Sequence, residues 1–158
     1  MTQNITIFVD IQNIYYTNKE AYGRNFDYNK FWAQATKNCK VVKAIAYGIA
    51  RNDEKQKQFQ NILRAIGFEV KLKPFIQRKD GSVKGDWDVG IVLDVMEYAN
   101  QCDKIILASG DGDFDLMVER IKQKFNVEVE IYGVPTLTAD SLIKAADKFI
   151  AIDDDLLL

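Results

Sequence analysis

Lys104-Ile105-Ile106-Leu107-Ala108-Ser109-Gly110-Asp111-Gly112-Asp113-Phe114 is the stretch whose reading decides the fold. A short apolar run halts at a turn that carries two carboxylates separated by glycine. The same arrest occurs near the N-terminus, in Ile5-Thr6-Ile7-Phe8-Val9-Asp10-Ile11-Gln12-Asn13. A buried, unpaired carboxylate costs several kcal/mol. Each Asp must therefore stand at the mouth of its strand or hold a cation. Acids gathered at one mouth of a parallel sheet suggest a site for a hard divalent metal.

Outward from these two runs, strands alternate with helical patterns. Residues 4–9, 40–48, 68–73, 104–108 and 127–132 read as strands, and 148–152 as a short edge strand. Between them, 11–18 reads as a short helix or turn, and Asp27 caps a helix through about Lys37 with Phe31 and Ala35 on one face. Asp53 opens a helix with Phe59, Ile62, Leu63 and Ile66 at helical spacing, closed by Gly67. Residues 75–83 read as a hairpin with Asp80-Gly81 at its tip. The helix from about Trp87 to Gln101 is expected to turn Val89, Val92, Leu93, Met96 and Ala99 inward. Phe114, Leu116, Met117 and Ile121 mark another, and 141–147 a last one.

Alternation of this kind implies an α/β fold: a single Rossmann-like, three-layer domain around a mostly parallel sheet. In the order 3-2-1-4-5, the first and fourth strands are neighbours and their junction is the topological switch point. Asp10 and Asp111 end those two strands, so fold rule and carboxylates point to one crevice. The domain is expected over 1–152, with 153–158 as an acidic and apolar tail of no assigned role.

Composition narrows the chemistry. The 158 residues suit one domain. There is no histidine, which excludes histidine triads, histidine bases and histidine zinc sites. Cys39 and Cys102 form no Cys-x-x-Cys and read as reduced, buried thiols of a cytoplasmic protein. No apolar run approaches a membrane span and no signal peptide is evident. Carboxylates, amides, hydroxyls and lysines remain, a repertoire suited to Mg²⁺ or Mn²⁺ acting on phosphates. Residues 51–84 hold nine Lys/Arg against four acids, within a chain of net charge −2. That flank reads either as a solvated surface or as a phosphate-facing one.

Each candidate has a plainer role beside the chemical one. Asp10 could simply cap the helix that follows it, and Asn13 could be a turn residue or a group that orients water or phosphate. One acid would suffice to cap the helix after Ser109, so Asp111 and Asp113 together exceed that need. Gly110 and Gly112 are expected to let the backbone turn tightly. In Lys84-Gly85-Asp86-Trp87-Asp88, Asp86 is assigned to the cap and Asp88 to the metal side, with the reverse assignment open. Lys84 either contacts phosphate or pairs with these acids, and Trp87 is assigned to packing.

Three motifs in one order, Phe8-Val9-Asp10-Ile11-Gln12-Asn13, Lys84-Gly85-Asp86-Trp87-Asp88-Val89 with Leu93-Asp94, and Ser109-Gly110-Asp111-Gly112-Asp113-Phe114, resemble the NYN domain. This is a branch of the PIN-like ribonuclease superfamily, and the likeness is to its LabA-like group, over about residues 4–152. The resemblance implies an acid cluster binding Mg²⁺ or Mn²⁺, usually for RNA cleavage: Asp10, Asp88, Asp111 and Asp113, supported by Asn13 and Ser109. The family commonly has one residue between the glycine and the acid after the lysine; here Asp86-Trp87 intervenes. The expected function is metal-dependent phosphodiester hydrolysis of RNA, with 51–84 holding the flanking backbone. Single-stranded RNA is favoured because a shallow crevice accepts a strand more readily than a duplex. The alternative is a non-catalytic PIN-like module that binds RNA or a protein; a homodimer is allowed. An Asp-x-Asp phosphatase is disfavoured because Gln12 stands at the second acid position.

Overall fold

The computed structural model describes residues 2–74, 76–77, 79, 83–84 and 86–158, with backbone alone for 76–77 and 83–84. Its main sheet has six strands: β1 (Gln3–Asp10), β2 (Cys39–Ala50), β3 (Glu69–Pro74), β6 (Lys104–Ala108), β7 (Glu128–Gly133) and β8 (Lys148–Ala151). Their order is β3-β2-β1-β6-β7-β8, and every neighbouring pair is parallel. Without the hairpin of β4 (Ile76–Gln77) and β5 (Val83–Lys84), this is the order 3-2-1-4-5-6. The expected fold is therefore present, with 148–151 adding a sixth strand at the edge. The hairpin tip, Asp80-Gly81, lies outside the described residues.

Helices cover both faces. On one side α1 (Ile11–Tyr22), α2 (Tyr28–Ala35) and α3 (Glu54–Ile66) bury Ile14, Phe31 and Leu63 against Ile7, Val9, Ala46 and Ile106. On the other, α4 (Asp88–Tyr98), α5 (Asp115–Phe125) and α6 (Asp140–Ala145) bury Ile91, Val118 and Leu142 against Phe8, Ile45, Leu107 and Ile131. Alternate residues of one strand thus serve opposite cores, as the period of two requires. A fully buried side chain of this size contributes roughly 1.5–3 kcal/mol.

Local signals set the helix starts. The Asp27 carboxylate accepts the N–H groups of Asn29 and Lys30, and that of Asp53 accepts Lys55 N–H. Gly67, at φ 141°, closes α3, and a Cβ there would lie 2.7 Å from the Trp32 ring.

Several expectations need correction. The segment after Asp10, expected over 11–18 as a short helix or turn, is a helix, and it runs on to Tyr22 for twelve residues before Gly23 caps it. Val89 and Leu93 are 71% and 64% exposed, because Ile91, Val95 and Ala99 form the inward stripe of that helix. Leu116 and Ile62 likewise point outward, off the stripes 114/117/118/121 and 59/63/66. Cys39 and Cys102 are free but half-buried rather than buried. The last residues pack back onto the domain. Leu156 and Leu157 are buried, Leu157 bridges Phe26, and Asp154 pairs with Arg24 at 2.8 Å.

Candidate metal centre

The acids converge where β1 and β6 end. Val9 pairs with Ala108, so Asp10 and Ser109 leave the sheet side by side. Ser109 is fully buried. Its hydroxyl lies 3.4 Å from Asp10 Oδ2, to which it donates, and accepts Asp111 N–H at 3.2 Å. Asn13 crosses from α1 to the same loop, its Oδ1 accepting Gly110 N–H at 2.8 Å. Asp10 also caps α1 by accepting Asn13 N–H at 3.4 Å. Its plainer role and its place at the crevice therefore coexist.

Beyond Gly110 the chain forms a short 3-10 turn, Gly112–Phe114, capped by Asp111, which accepts Asp113 N–H at 2.9 Å. Both glycines have backbone angles open to any residue; the positive-φ glycines among the described residues are Gly23 and Gly67. Their need is close approach instead. A Cβ on Gly110 would meet Leu137 O at 2.8 Å, and one on Gly112 would meet Ala139 Cβ at 2.8 Å. The segment 137–139, which sequence reasoning did not connect to the site, thus seats the acidic loop. It carries no local signal of that task.

Asp88 is the first residue of α4, and Asp86 accepts its N–H at 3.2 Å. Trp87 packs between them and the sheet: its Nε1 donates to Gly48 O at 2.8 Å, and Lys73 Nζ lies 4.6 Å from its ring centre. Lys73 Nζ also donates to Asp86 O at 2.8 Å. Lys71 is taken up too, with Tyr47, by Asp94, each at 2.8 Å. Two cations of the basic flank therefore serve internal partners, and Asp94 braces α4 against β2 and β3 rather than joining the crevice. The Lys84 side chain lies outside the described residues.

Asp88, Asp111 and Asp113 each present a carboxylate oxygen within 4.8 Å of the others. Asp10 stands beside this triad rather than within it, near enough for its charge to act on Asp88. The electrostatics follow from crowding. Burial, with repulsion from Asp111 and Asp86, raises Asp10 to about 6 against the lowering bonds from Asn13 and Ser109. Partial burial and then the adjoining Asp111 raise Asp88 to about 7. An all-oxygen donor set whose ionised forms are mutually destabilised fits a hard divalent cation.

The chain belongs to the NYN domain family, whose sequence profile matches residues 4–153. It is 27% identical to the low amplitude and bright protein LabA of Synechococcus elongatus, over 95% of this chain and 84% of that one. It is 62% identical to a protein of unknown function from Vibrio parahaemolyticus, whose crystal structure it matches with a TM-score of 0.95 over 99% of this chain and 97% of that one. A carbohydrate kinase from Agrobacterium tumefaciens shares the fold alone, at 11% identity and a TM-score of 0.53, over 94% of this chain and 60% of that one. Fold, family and acidic triad together make this a nuclease-like, PIN-type domain. Among the described residues no helix is long and apolar enough to cross a membrane.

Proposed function

We propose that this protein is a metal-dependent phosphodiesterase that cleaves RNA, with Mg²⁺ or Mn²⁺ held by Asp88, Asp111 and Asp113 and faced by Asp10. The observation that carries this reading is the triad itself, three carboxylates with ligand oxygens within 4.8 Å at the switch point of a parallel sheet. Membership of a family whose nucleases use divalent ions supports it. A bound ion would supply Lewis acidity and a water of lowered pKa.

The chain's own residues do the rest. Asp10 holds negative charge at the crevice and is oriented by Ser109 and Asn13. Asn13 and Ser109 fix the backbone that carries Asp111. Asp86 fixes the start of α4 and so the position of Asp88. Basic residues of 51–84, Arg51 and Lys84 among them, are assigned to the flanking phosphates.

Cleavage of a labelled single-stranded RNA in Mn²⁺, Mg²⁺ or EDTA tests the proposal. Wild type should cleave only with a metal. Asp10→Asn and Asp111→Asn should each lose at least about a hundredfold while keeping the fold. Cleavage at the wild-type rate by either variant would remove that residue from the site. Cleavage persisting in EDTA would remove the metal.

A further inference from the structure

A cleft of about 460 Å³ opens between α1 and α3 at the carboxyl ends of β2 and β3, on the same sheet mouth as the acids. That volume is within the roughly 300–1,000 Å³ usual for small-ligand sites. Ile11 and Gln12, which follow Asp10 in the chain, line the cleft, and so does Gly48, whose carbonyl holds Trp87.

Two of its lining residues are aromatic and exposed where a packing role would bury them. Tyr15 and Tyr16 are 51% and 58% exposed, and their rings meet edge to face with centroids 5.3 Å apart. Opposite them is an amide in the reverse condition. Gln60 is only 8% exposed, lines the cleft, and makes no side-chain hydrogen bond among the described residues. The amide opens onto the cleft, so its donors and acceptor are available to a polar group that enters. Arg51 adds positive charge to the rim.

Exposed aromatic faces, an amide that opens onto the cleft and a cation beside a phosphate-type metal site match one ligand chemistry. We infer that this cleft binds an unpaired nucleobase of the RNA strand whose neighbouring phosphate lies at the acids. The tyrosines supply stacking and Gln60 reads the base edge. The inference rests on the nuclease reading for its phosphate and on the cleft for its base. A base buried here must be out of a duplex, so the site selects single-stranded RNA.

The test is binding of labelled five-nucleotide RNAs in EDTA, which stops metal-dependent turnover, using all-adenine and all-uracil chains and chains with one abasic sugar. Wild type should bind an intact chain roughly tenfold more tightly than the weakest abasic one. Tyr15→Ala combined with Tyr16→Ala should lose the same factor and become indifferent to the abasic position. Gln60→Leu, of similar volume and checked for an unchanged melting temperature, should alter the adenine-to-uracil preference. No binding by wild type, or tyrosine and abasic changes that act independently, would overturn the base site. The same proteins assayed for cleavage in Mn²⁺ separate the two readings. Cleavage untouched by the cleft variants, with their binding unchanged, sinks the cleft alone. Abasic-sensitive binding without cleavage in any metal sinks hydrolysis alone.

Discussion

At Gly110 the constraint is a neighbour's carbonyl. A methyl group there would sit 2.8 Å from Leu137 O, on a residue whose N–H is held by Asn13 and whose own carbonyl accepts Ala139 N–H at 3.1 Å. Replacing a glycine by alanine at an unstrained, open position usually stabilises by about 0.4–1 kcal/mol. Here Gly110→Ala should instead destabilise by roughly 1–3 kcal/mol, as overpacking does. The urea midpoint should fall with the slope unchanged, and metal-dependent cleavage should fall with it, because Asp111 moves with the loop. A midpoint equal to or above wild type would show that the 137–139 segment yields freely and does not seat the acids.

At the scale of elements, legibility tracked how local the cause was. Strand ends and caps were readable because their determinants lie within a few residues. Asp27, Asp53 and Gly67 act on the helices they adjoin, and Asp10 and Asp111 end the strands that carry them. The phase of α4 was not readable. Apolar residues occur all round it, so the sequence did not reveal that Ile91 and Val95 would face the sheet and Val89 and Leu93 the solvent. Pairings across the chain were equally hidden. Asp94 on α4 meets Lys71 and Tyr47 from two strands, and Gly110 meets Leu137 across a later turn. A hairpin was expected over 75–83, and Ile76–Gln77 pairs antiparallel with Val83–Lys84. For the site, acids and crevice were predictable from the switch-point rule. The triad's composition, with Asp10 beside it, depended on the tertiary positions of α4 and the 3-10 turn.

For the whole molecule, the crowded acids link stability to pH in an unusual direction. Asp10 and Asp88 are raised from 3.8 to about 6 and about 7. Between the unfolded and folded values the native state holds more protons than the unfolded one, so the slope of stability with pH is negative. The contribution is fully present below the unfolded value and is lost as pH rises through about 6 and then about 7. In EDTA the melting temperature should therefore fall between about pH 5 and about pH 8. Mn²⁺, which favours the ionised forms, should cancel that fall and stabilise more at the upper end. A melting temperature in EDTA that stays level or climbs over this range would show that the carboxylates do not repel one another as placed.

The seat of Trp87 has an optical consequence. The chain has two tryptophans. Trp32 lies under Gly67, edge-on to Phe68 with ring centres 5.0 Å apart, in the packing between α2 and α3. Trp87 immediately precedes Asp88, with its indole N–H fixed to a carbonyl and an ammonium 4.6 Å from its ring centre. Its excited state therefore sits in a local field that changes when charge enters or leaves the acids. In Trp32→Phe protein the remaining emission should report, without any added label, each Mg²⁺ that settles beside Asp88. A fluorescence spectrum that stays unchanged through a saturating Mg²⁺ titration would place the ion somewhere other than beside this helix start.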